Sequence, residues 1–377
     1  MPTPRIAVIG AGLSGLVCAR ILQLHGIPCT VYERDADAGT RQQGGSLDIH
    51  HDTGQIALEE AGLYETFLRH THEGGEAMRV LDKSARVFID EGDTGSGGRP
   101  EIDRSMLRKM LVDSLDPGAI SWGSKVVGVS PTESGPVLEF ADGTTAQADL
   151  VVGADGAWSK ARAALTPVKP FYTGITMVEI HLDDAPAKHP DALALVGRGS
   201  LFAVSDNKFI GGHGGDHIWL GLGLRVPEDW AATSGLDRAE DPTAAREALL
   251  GMYADWAPSL TDLIRHCDDT IVPRPIHALP TGHTWDRVPG ITLVGDAAHL
   301  MSPFAGEGAN LALIDGADLA RAIIANDDLE QAVAAYERTM FPRGAESALQ
   351  SAYGLDMMFN EEAPKALVDF FAKPNAH

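Results

Sequence analysis

The stretch Ile6-Ala-Val-Ile-Gly-Ala-Gly-Leu-Ser-Gly15 decides the fold of this chain. Its four apolar residues predict a strand buried on both faces, and the glycines that follow predict a tight turn into a helix. The helix would end near Gly26, and residues 28–32 predict a second strand. The chain is therefore expected to begin with a β-α-β unit of an α/β fold.

The glycines of this turn are spaced as in a dinucleotide-binding site. Gly10 permits the tight turn, Gly12 lets a pyrophosphate approach the backbone, and Gly15 lets the helix pack on the strand. Glu33 follows the second strand, where a carboxylate can accept hydrogen bonds from both hydroxyls of a ribose. Arg34 either stacks on an adenine or is a solvated surface residue. These residues predict dinucleotide binding, but they do not separate NAD from FAD.

The composition fits one large domain or two interleaved domains. Of the 377 residues 44% are hydrophobic and 22% are charged, and the formal charge is −23. Such an acidic surface repels nucleic acid and anionic lipid, so we expect neither as a partner. Cys18, Cys29 and Cys267 form neither a disulfide framework nor a zinc site, and the histidines lack ligand spacing. We expect a cytoplasmic protein without a metal or a membrane span.

The sequence pattern changes between residues 170 and 280. Short strand-like runs, separated by polar or glycine turns, cover residues 177–182, 200–204, 209–212 and 218–224. They predict an antiparallel sheet in a subdomain of its own. Further on, a long helix is predicted over 308–325, and residues 329–372 are predicted to be mostly helical with breaks at Pro342 and Pro364.

Two further motifs follow predicted strands and open predicted helices. They are Gly153-Ala-Asp-Gly-Ala-Trp-Ser-Lys-Ala-Arg162 and the stretch from Gly295 to Asn310. Asp296 would lie at the carboxyl end of a parallel strand, where α/β sheets place ligands, and could bind a polyol hydroxyl. The helix start at 306–310 offers free amides and a positive dipole end, which suits the anionic pyrimidine edge of a reduced flavin. NAD has no comparable group, so these motifs favour FAD.

With these three motifs the sequence resembles the class A flavoprotein monooxygenases, the para-hydroxybenzoate hydroxylase group. Within that group it most resembles the tetracycline-inactivating monooxygenases, on segments 31–35, 44–48, 100–104 and 299–310. The resemblance implies a Rossmann-like FAD-binding domain of residues 1–73, 101–169 and 281–326. It further implies a mainly antiparallel-sheet substrate-binding domain of residues 74–100 and 170–280, followed by a C-terminal helical segment of residues 327–377.

The resemblance also implies positions that hold a non-covalent FAD. They are Gly10, Gly12, Leu13, Ser14, Gly15, Glu33, Arg34, Arg41, Arg108, Asp155, Asp296, Pro303, Gly306, Gly308, Ala309 and Asn310. The glycine turn, Glu33 and Arg34 would hold the adenosine diphosphate half. Arg108 would reach the flavin side of the pyrophosphate or the ribityl chain, and Asp296 would bind ribityl hydroxyls. Residues 303–310 would lie along the isoalloxazine.

Three acidic or basic side chains have alternative roles. Asp155 either orders the pyrophosphate region or caps a helix at 157–165. Glu307 would be unfavourable beside an anionic flavin, so we expect it to complement the helix dipole instead. We expect His299 to be a packed, hydrogen-bonded histidine. No catalytic residue is predicted, because the cofactor would carry the chemistry.

The resemblance implies that NAD(P)H, with NADPH favoured, reduces the FAD. Oxygen would then give a C4a-hydroperoxide that hydroxylates an aromatic, phenolic or polyketide-like small molecule. This substrate would lie between the flavin and the sheet of residues 170–280. The candidate substrate-binding residues are Trp219, Gly221, Phe304, Ala305 and Met357. Tetracycline-inactivating enzymes carry a histidine where Trp219 stands and a glutamine near Ala194, so we expect a more apolar substrate than tetracycline.

Several alternatives stay open at this point. The same fold could serve an FAD-dependent oxidase or reductase, a tetracycline-inactivating enzyme proper, or a flavin-free binding protein. The sequence does not separate hydroxylation from Baeyer–Villiger oxygen insertion, since both begin from the same oxygenated flavin. We expect a monomer or a weak homo-oligomer.

Overall fold

The computed structural model describes residues 4–40, 45–72, 75, 77–93, 98–236 and 241–371. The strands are β1 Ile6–Ile9, β2 Cys29–Tyr32, β3 Ser46–Asp48, β4 Met78–Leu81, β5 Val87–Glu91, β6 Glu101–Asp103, β7 Ile120–Ser121, β8 Val126–Ser130, β9 Val137–Phe140, β10 Thr145–Gln147, β11 Leu150–Gly153, β12 Phe171–Leu182, β13 Ser200–Ser205, β14 Lys208–His213, β15 Ile218–Arg225, β16 Val272–Ala278 and β17 Ile291–Leu293.

The α-helices are α1 Leu13–Leu24, α2 Gly54–Glu60, α3 Tyr64–Leu68, α4 Arg104–Ser114, α5 Ala185–Lys188, α6 Pro190–Val196, α7 Trp230–Ser234, α8 Pro242–Met252, α9 Pro258–Arg265, α10 Asp296–His299, α11 Gly308–Ala325, α12 Leu329–Met358 and α13 Lys365–Phe371. Short 3-10 helices cover Arg162–Ala164 and Pro303–Ala305.

The chain forms two compact units, of which unit 1 comprises Met1–Thr71, Ile102–Phe171 and His277–Ala352. Its centre is a parallel sheet in the order β17-β11-β1-β2-β7. All of β1 is buried, and Val8 lies opposite residues of β11 and of β2. A strand flanked by two parallel neighbours and covered on both faces must be apolar throughout, which explains the run at 6–9. The predicted α/β class and the β-α-β start are confirmed.

Helices α1 and α11 of unit 1 approach each other backbone to backbone. A Cβ atom on Gly316 of α11 would collide with the carbonyl oxygen of Ser14 and would lie 3.1 Å from the backbone nitrogen of Cys18. Only glycine leaves room for this approach, although it is an unfavourable residue inside a helix. The position of α11 is therefore set by α1, which follows the glycine turn.

A buried ionic network joins the segment after β17 to α11 and α12. Asp315 is fully buried and accepts hydrogen bonds from the backbone N–H of Gly295 at 2.9 Å and from Nη2 of Arg343 at 2.9 Å. Its Oδ2 also lies 2.5 Å from Nε2 of His299. Arg343 donates a second hydrogen bond to Asp318 at 2.6 Å. His299 is thus packed and hydrogen-bonded, as predicted.

Pro342 does not break the C-terminal helix, and that prediction is wrong. Helix α12 continues through Pro342 to Met358. A proline inside a helix removes one backbone hydrogen bond. On either side of it, however, Met340 is buried in the core and Arg343 is held by the carboxylates of α11. Tertiary packing therefore outweighs the local preference of the proline.

Unit 2 comprises His72–Glu101, Tyr172–Ile276 and Tyr353–His377. It contains the large sheet, whose strand order is β16-β12-β15-β14-β13-β4-β5. Strands β12, β15, β14 and β13 pair antiparallel in that order, and β13 pairs parallel with β4. The predicted antiparallel sheet is confirmed. One face of it packs on helices α8 and α9 through a core that includes Val178, Ile180, Leu220, Leu222, Leu249 and Leu263.

The packing divides the C-terminal region between the units. Residues up to Ala352 belong to unit 1, and those from Tyr353 belong to unit 2, whereas the sequence predicted one segment over 327–377. Within the described ranges, no helix is both long enough and apolar enough to cross a membrane.

Replacing Gly316 by alanine is expected to lower the free energy of unfolding by about 1–3 kcal/mol, because the added methyl group must push α1 and α11 apart. The thermal unfolding midpoint, followed by circular dichroism, measures this change. Gly251→Ala is the matched control, since Gly251 is an exposed helix residue whose Cβ would meet nothing within 4 Å. The control should stay as stable as the wild type or gain up to about 1 kcal/mol. Equal losses in both variants would contradict the packing argument.

The His299–Asp315 pair makes stability depend on pH. Burial acts to lower the pKa of His299, but the charge of Asp315 and the contact with its carboxylate raise it, and the net pKa is raised. Burial acts to raise the pKa of Asp315, but His299 and Arg343 lower it, and the net pKa is lowered. The contribution of His299 to the free energy of unfolding is complete below the histidine pKa of the unfolded chain, about 6.5, and is lost as the pH rises through the higher pKa of the folded protein. The contribution of Asp315 is present above the aspartate pKa of the unfolded chain, about 3.9, and is lost as the pH falls through the lower pKa of the folded protein.

We therefore expect the unfolding midpoint of the wild type to fall as the pH is raised from neutral to alkaline values, and to fall less steeply in His299→Gln. Thermal unfolding at a series of pH values measures the two slopes. His266→Gln, at an exposed position on helix α9's C-terminal side, is the control and should keep the wild-type slope. A slope in His299→Gln that matches the wild type would show that this pair does not govern the alkaline loss.

Candidate functional site

The turn after β1 lies directly against the end of β11. Gly10 has φ +102°, and a Cβ atom there would lie 2.5 Å from the carbonyl oxygen of Ala154. A Cβ atom on Gly15 would collide with the carbonyl oxygen of Gly10 and would lie 3.0 Å from a methyl carbon of Val8. Both glycines are therefore required by contact with neighbouring backbone and core. The turn takes the conformation that a dinucleotide-binding loop needs.

The start of α1 offers backbone amides to a ligand. Gly12 occupies the N-cap position, none of the described side chains caps the helix, and its first turn carries no acidic residue. The first N–H groups of a helix have no partner within the helix, and the helix dipole makes this end positive. An anionic phosphate is the ligand that such an uncapped start accommodates.

Glu33 ties the end of β2 to the glycine turn. Its carboxylate is buried and accepts a hydrogen bond from the backbone N–H of Ala11 at 2.6 Å and another from the N–H of Asp35 at 3.0 Å. The carboxylate therefore lies where the turn and the second strand meet. Arg34 beside it points its side chain largely into solvent.

Arg108 brings a buried positive charge to the same turn. From α4, its Nε donates to the carbonyl oxygen of Ala11 at 2.9 Å and its Nη1 to that of Ala38 at 3.2 Å. The guanidinium also lies over the ring of Trp122, 5.8 Å from its centre, and 3.9 Å from a carboxylate oxygen of Asp35. Arg108 thus reaches the glycine turn, and its bond to Ala11 was not foreseen; its contact with the flavin side of the pyrophosphate or the ribityl chain stays a prediction.

Asp155 does not cap an α-helix at 157–165, because the only helical turn described there is the 3-10 helix Arg162–Ala164. Its carboxylate instead accepts hydrogen bonds from Oγ of Ser159 at 2.6 Å and from the N–H of Lys160 at 2.6 Å. These bonds fold the segment into a tight turn that competes with an α-helix. Arg162 is buried and donates to the carbonyl oxygen of Ala297 at 2.9 Å, which links the second motif to the third.

Asp296 lies at the carboxyl end of the parallel sheet, as predicted. Asp296 starts α10 just after β17. The residue is exposed to solvent, and protein atoms crowd around its side chain. Burial among these atoms raises the pKa of the carboxyl, and the charges of His299, Arg104 and Arg162 oppose that rise. A group that is accessible to solvent yet enclosed by protein lies in a depression, which is where α/β sheets bind ligands.

The segment before α11 is a short 3-10 helix followed by Gly306, whose φ is +70°. Glu307 stands at the N-cap position of α11, and no side chain in the described part of the chain caps this helix. In this segment Pro303 and Gly306 are exposed, whereas Phe304, Ala305, Gly308 and Ala309 are partly buried. Like α1, α11 thus begins with backbone amides that its own side chains leave uncapped.

Asn310 clamps the end of β3 to the first turn of α11. The side chain is fully buried, its Nδ2 donates to the carbonyl oxygen of Asp48 at 2.9 Å, and its Oδ1 accepts from the N–H of His50 at 2.8 Å. The ring of His50 lies 2.9 Å from a carboxylate oxygen of Asp48 and 3.4 Å from one of Glu307. Glu307 therefore contacts an imidazole in addition to any effect on the helix dipole, a contact that the sequence did not predict.

The structure gathers the predicted cofactor residues into unit 1, except that Arg41 lies outside the described residues. Of the predicted substrate residues, Phe304 and Ala305 belong to unit 1, and Trp219, Gly221 and Met357 belong to unit 2. Asp48 and His50 were not predicted from the sequence; Asp48 ends the short strand β3, and His50 follows two residues later. In the part of the chain that the structure describes, no group of three or more His, Cys, Asp or Glu side chains could hold a metal ion.

Comparison with known proteins identifies this kind of site. A model of the FAD binding domain family matches residues 3–197 and 285–343. The monooxygenase asqM of Emericella nidulans is 31% identical, with 95% of this chain and 96% of that protein covered. The 3-amino-4-hydroxybenzoate 2-monooxygenase PtnB3 of Streptomyces platensis is 32% identical, with 90% of this chain and 85% of that protein covered.

Solved structures share the fold. HpxO of Klebsiella pneumoniae, crystallised with FAD and uric acid, superposes with a TM-score of 0.81 at 22% identity, over 98% of this chain and 92% of that one. The tetracycline destructase Tet(55) gives a TM-score of 0.74 at 18% identity, over 98% of this chain and 94% of that one. The cofactor is FAD and the protein is an oxidoreductase: the chain belongs to the FAD binding domain family, within the class A FAD-dependent monooxygenases.

Proposed function

We propose that this monooxygenase hydroxylates a small aromatic, phenolic or polyketide-like molecule, with NADPH favoured over NADH as the reductant. The observation that carries the proposal is the glycine turn, where backbone amides, Glu33 and Arg108 converge on the space that a dinucleotide would fill. The relative that acts on 3-amino-4-hydroxybenzoate supports an electron-rich ring as the target. No second strand-glycine-helix fingerprint for NAD(P)H stands out in the sequence, which supports transient binding of the reductant.

The residues of unit 1 fit an FAD along its length. Glu33 would accept hydrogen bonds from the ribose hydroxyls, and the amides at the start of α1 would bind the pyrophosphate together with Arg108. Asp296, accessible in its depression, would accept hydrogen bonds from the ribityl chain. The amides at the start of α11 would face the pyrimidine edge of the flavin. Asn310 would contribute through its backbone, because both ends of its side-chain amide already bind residues 48 and 50.

The two units would have different roles. Unit 1 would hold the FAD, and the large sheet of unit 2 would hold the substrate, in keeping with the domains predicted from the sequence. The free thiols Cys18, Cys29 and Cys267 support a reducing, cytoplasmic location, and the charge of −23 makes nucleic acid an unfavourable partner. A monomer or a weak homo-oligomer remains our proposal for the assembly.

Bound FAD supplies the redox chemistry, accepting a hydride from NAD(P)H and then activating oxygen for transfer to the substrate. The protein has to position the ring and set the charge around it. The positive end of α1 would hold the pyrophosphate, and the positive end of α11 would favour negative charge on the flavin ring. At the start of α11, a carboxylate oxygen of Glu307 lies 3.4 Å from the ring of His50.

The purified protein is expected to be yellow and to bleach when NADPH is added without oxygen. Re-oxygenation in the presence of phenols should restore the yellow spectrum and yield a hydroxylated product. Absorbance spectra and mass spectrometry of the products measure both steps. Restored absorbance with hydrogen peroxide as the sole product across a broad phenol panel would favour an oxidase. A colourless protein that cannot take up FAD would contradict the proposed function.

Replacing Glu33 by alanine should raise the dissociation constant for FAD by roughly 10- to 150-fold, because it removes a charge-assisted acceptor from the ribose and from the N–H of Ala11. Fluorescence titration of the apoprotein with FAD measures the affinity. Glu133→Ala, which removes an exposed carboxylate between β8 and β9, is the control and should bind FAD like the wild type. Unchanged affinity in Glu33→Ala would refute the role of Glu33.

A further inference from the structure

The face of the large sheet that points away from helices α8 and α9 has a polar corner, made by Glu101, His213 and Trp219. His213 of β14 and Trp219 of β15 are register partners, so both side chains project from the same face. Trp219 is also the register partner of His181, and their rings meet edge to face with centres 6.0 Å apart. Glu101 brings its Oε2 to 2.9 Å from Nδ1 of His213.

The polar atoms of this corner are buried without satisfying one another. Oε2 of Glu101, both ring nitrogens of His213 and Nε1 of Trp219 are closed to solvent and form no hydrogen bond with any residue that the structure describes. The Glu101 and His213 atoms are close enough for an ion pair, but they are not aligned as a hydrogen bond. Buried polar groups are nearly always hydrogen-bonded, so a cluster of this kind calls for a partner that completes it.

Next to the polar corner the same face is low at strands β14 and β15. The following register pair there is Gly211 with Gly221, and these positions carry no side chains of their own. The ring of Phe209 and the methyl group of Met177 reach over them, since a Cβ on either glycine would collide with one of these side chains. On β12 the floor is bordered by Glu179, the register partner of Gly221, whose carboxylate is paired with Arg274 at 2.5 Å. The face therefore combines a flat apolar floor, with one neutralised ion pair at its border, and a group of unsatisfied donors and acceptors at one end. A planar ring with a polar edge matches this arrangement.

From this geometry we infer that the substrate is a planar arene carrying a hydroxyl beside a neutral carbonyl, and that Glu101, His213 and Trp219 recognise that polar edge. The hydroxyl would donate to Oε2 of Glu101, and the carbonyl would accept from Nε1 of Trp219. His213, whose two ring nitrogens are buried without a hydrogen-bond partner among the described residues, would complete the set. An arene carboxylate would meet the charge of Glu101 and would be disfavoured.

This inference rests on the proposed function, because it names the substrate of that hydroxylation. It also separates this chain from its Streptomyces platensis relative, whose named substrate is a benzoate. The same cofactor chemistry would act here on a neutral hydroxy-carbonyl ring.

The test compares two probes on the FAD-loaded enzyme: 2-hydroxyacetophenone, which pairs its hydroxyl with a neutral carbonyl, and salicylate, which pairs it with a carboxylate. Calorimetry gives the dissociation constants, and the flavin absorbance reports whether the ligand binds near the cofactor. We expect the wild type to bind 2-hydroxyacetophenone at least about tenfold more tightly than salicylate. Glu101→Gln should shrink this preference, because the repelling charge is removed.

Trp219→Phe should weaken the binding of 2-hydroxyacetophenone by roughly three- to tenfold, since it removes one donor and keeps an aromatic ring. Trp256→Phe is the matched control: Nε1 of Trp256 is also buried and unpartnered, but this residue belongs to the core on the opposite face. The control should leave both affinities unchanged.

Equal or tighter binding of salicylate by the wild type would overturn the inference, and so would the absence of binding of either probe in the millimolar range. A preference for the neutral probe that Glu101→Gln leaves intact would remove Glu101 from the site. These results stay distinct from failure of the proposed function. A yellow protein that NADPH bleaches but that prefers salicylate refutes only the substrate class, whereas a protein without FAD refutes both.

Discussion

The contact between the glycine turn and the carbonyl oxygen of Ala154 is the constraint on which unit 1 depends. It sets the path of the chain from β1 into α1, and Gly15 then holds α1 against the strand. Ser14 of that helix abuts Gly316, so the position of α1 determines the position of α11. Two uncapped helix starts are thereby held in a fixed relation within one unit. A cofactor with a pyrophosphate and a flavin ring needs such a pair of positive helix ends at two separate points.

The side-chain hydrogen bonds of Asn310 extend these contacts to β3 and the residues after it. Asn310 donates a hydrogen bond to the carbonyl oxygen of Asp48 and accepts one from the N–H of His50, two backbone groups near the start of α11. Because the side chain is fully buried, replacing it would remove both of these hydrogen bonds from a region that water does not reach, where a lost hydrogen bond is costly. Asn310 therefore acts on the site by positioning residues 48–50, with Glu307 held beside His50 as a consequence.

The sequence predicted the elements of the fold well because their signals are local. Four apolar residues before a glycine turn are enough to predict β1, and the bounds of α11 over 308–325 follow from a helical pattern with a glycine-rich start. The break at Pro342 was mispredicted because the cost of a proline in a helix can be read from the sequence alone. The contacts that offset this cost are tertiary: Met340 is buried in the core, and Arg343 is paired with Asp315 of α11.

The pairing of polar side chains was the part of the site that the sequence could not predict. Glu33 was foreseen as a ribose ligand, but its bond to Ala11 depends on how closely β2 lies beside the turn. The contact between His50 and Glu307 joins positions far apart in the chain, and no spacing rule relates them. The polar corner of the large sheet likewise needs the register of β14 against β15, which brings His213 opposite Trp219.

The net charge of the chain and the buried cation at the glycine turn have opposite signs and act over different distances. A formal charge of −23 is spread over a large surface, and salt screens exposed charges beyond about 8 Å at physiological ionic strength. Arg108 is buried beside the glycine turn and acts at short range with little screening, together with the amides of two helix starts. An anionic cofactor can therefore bind to an acidic protein. An anionic dinucleotide at the exposed surface would instead be repelled by the like charge of the chain, and added salt would weaken that repulsion.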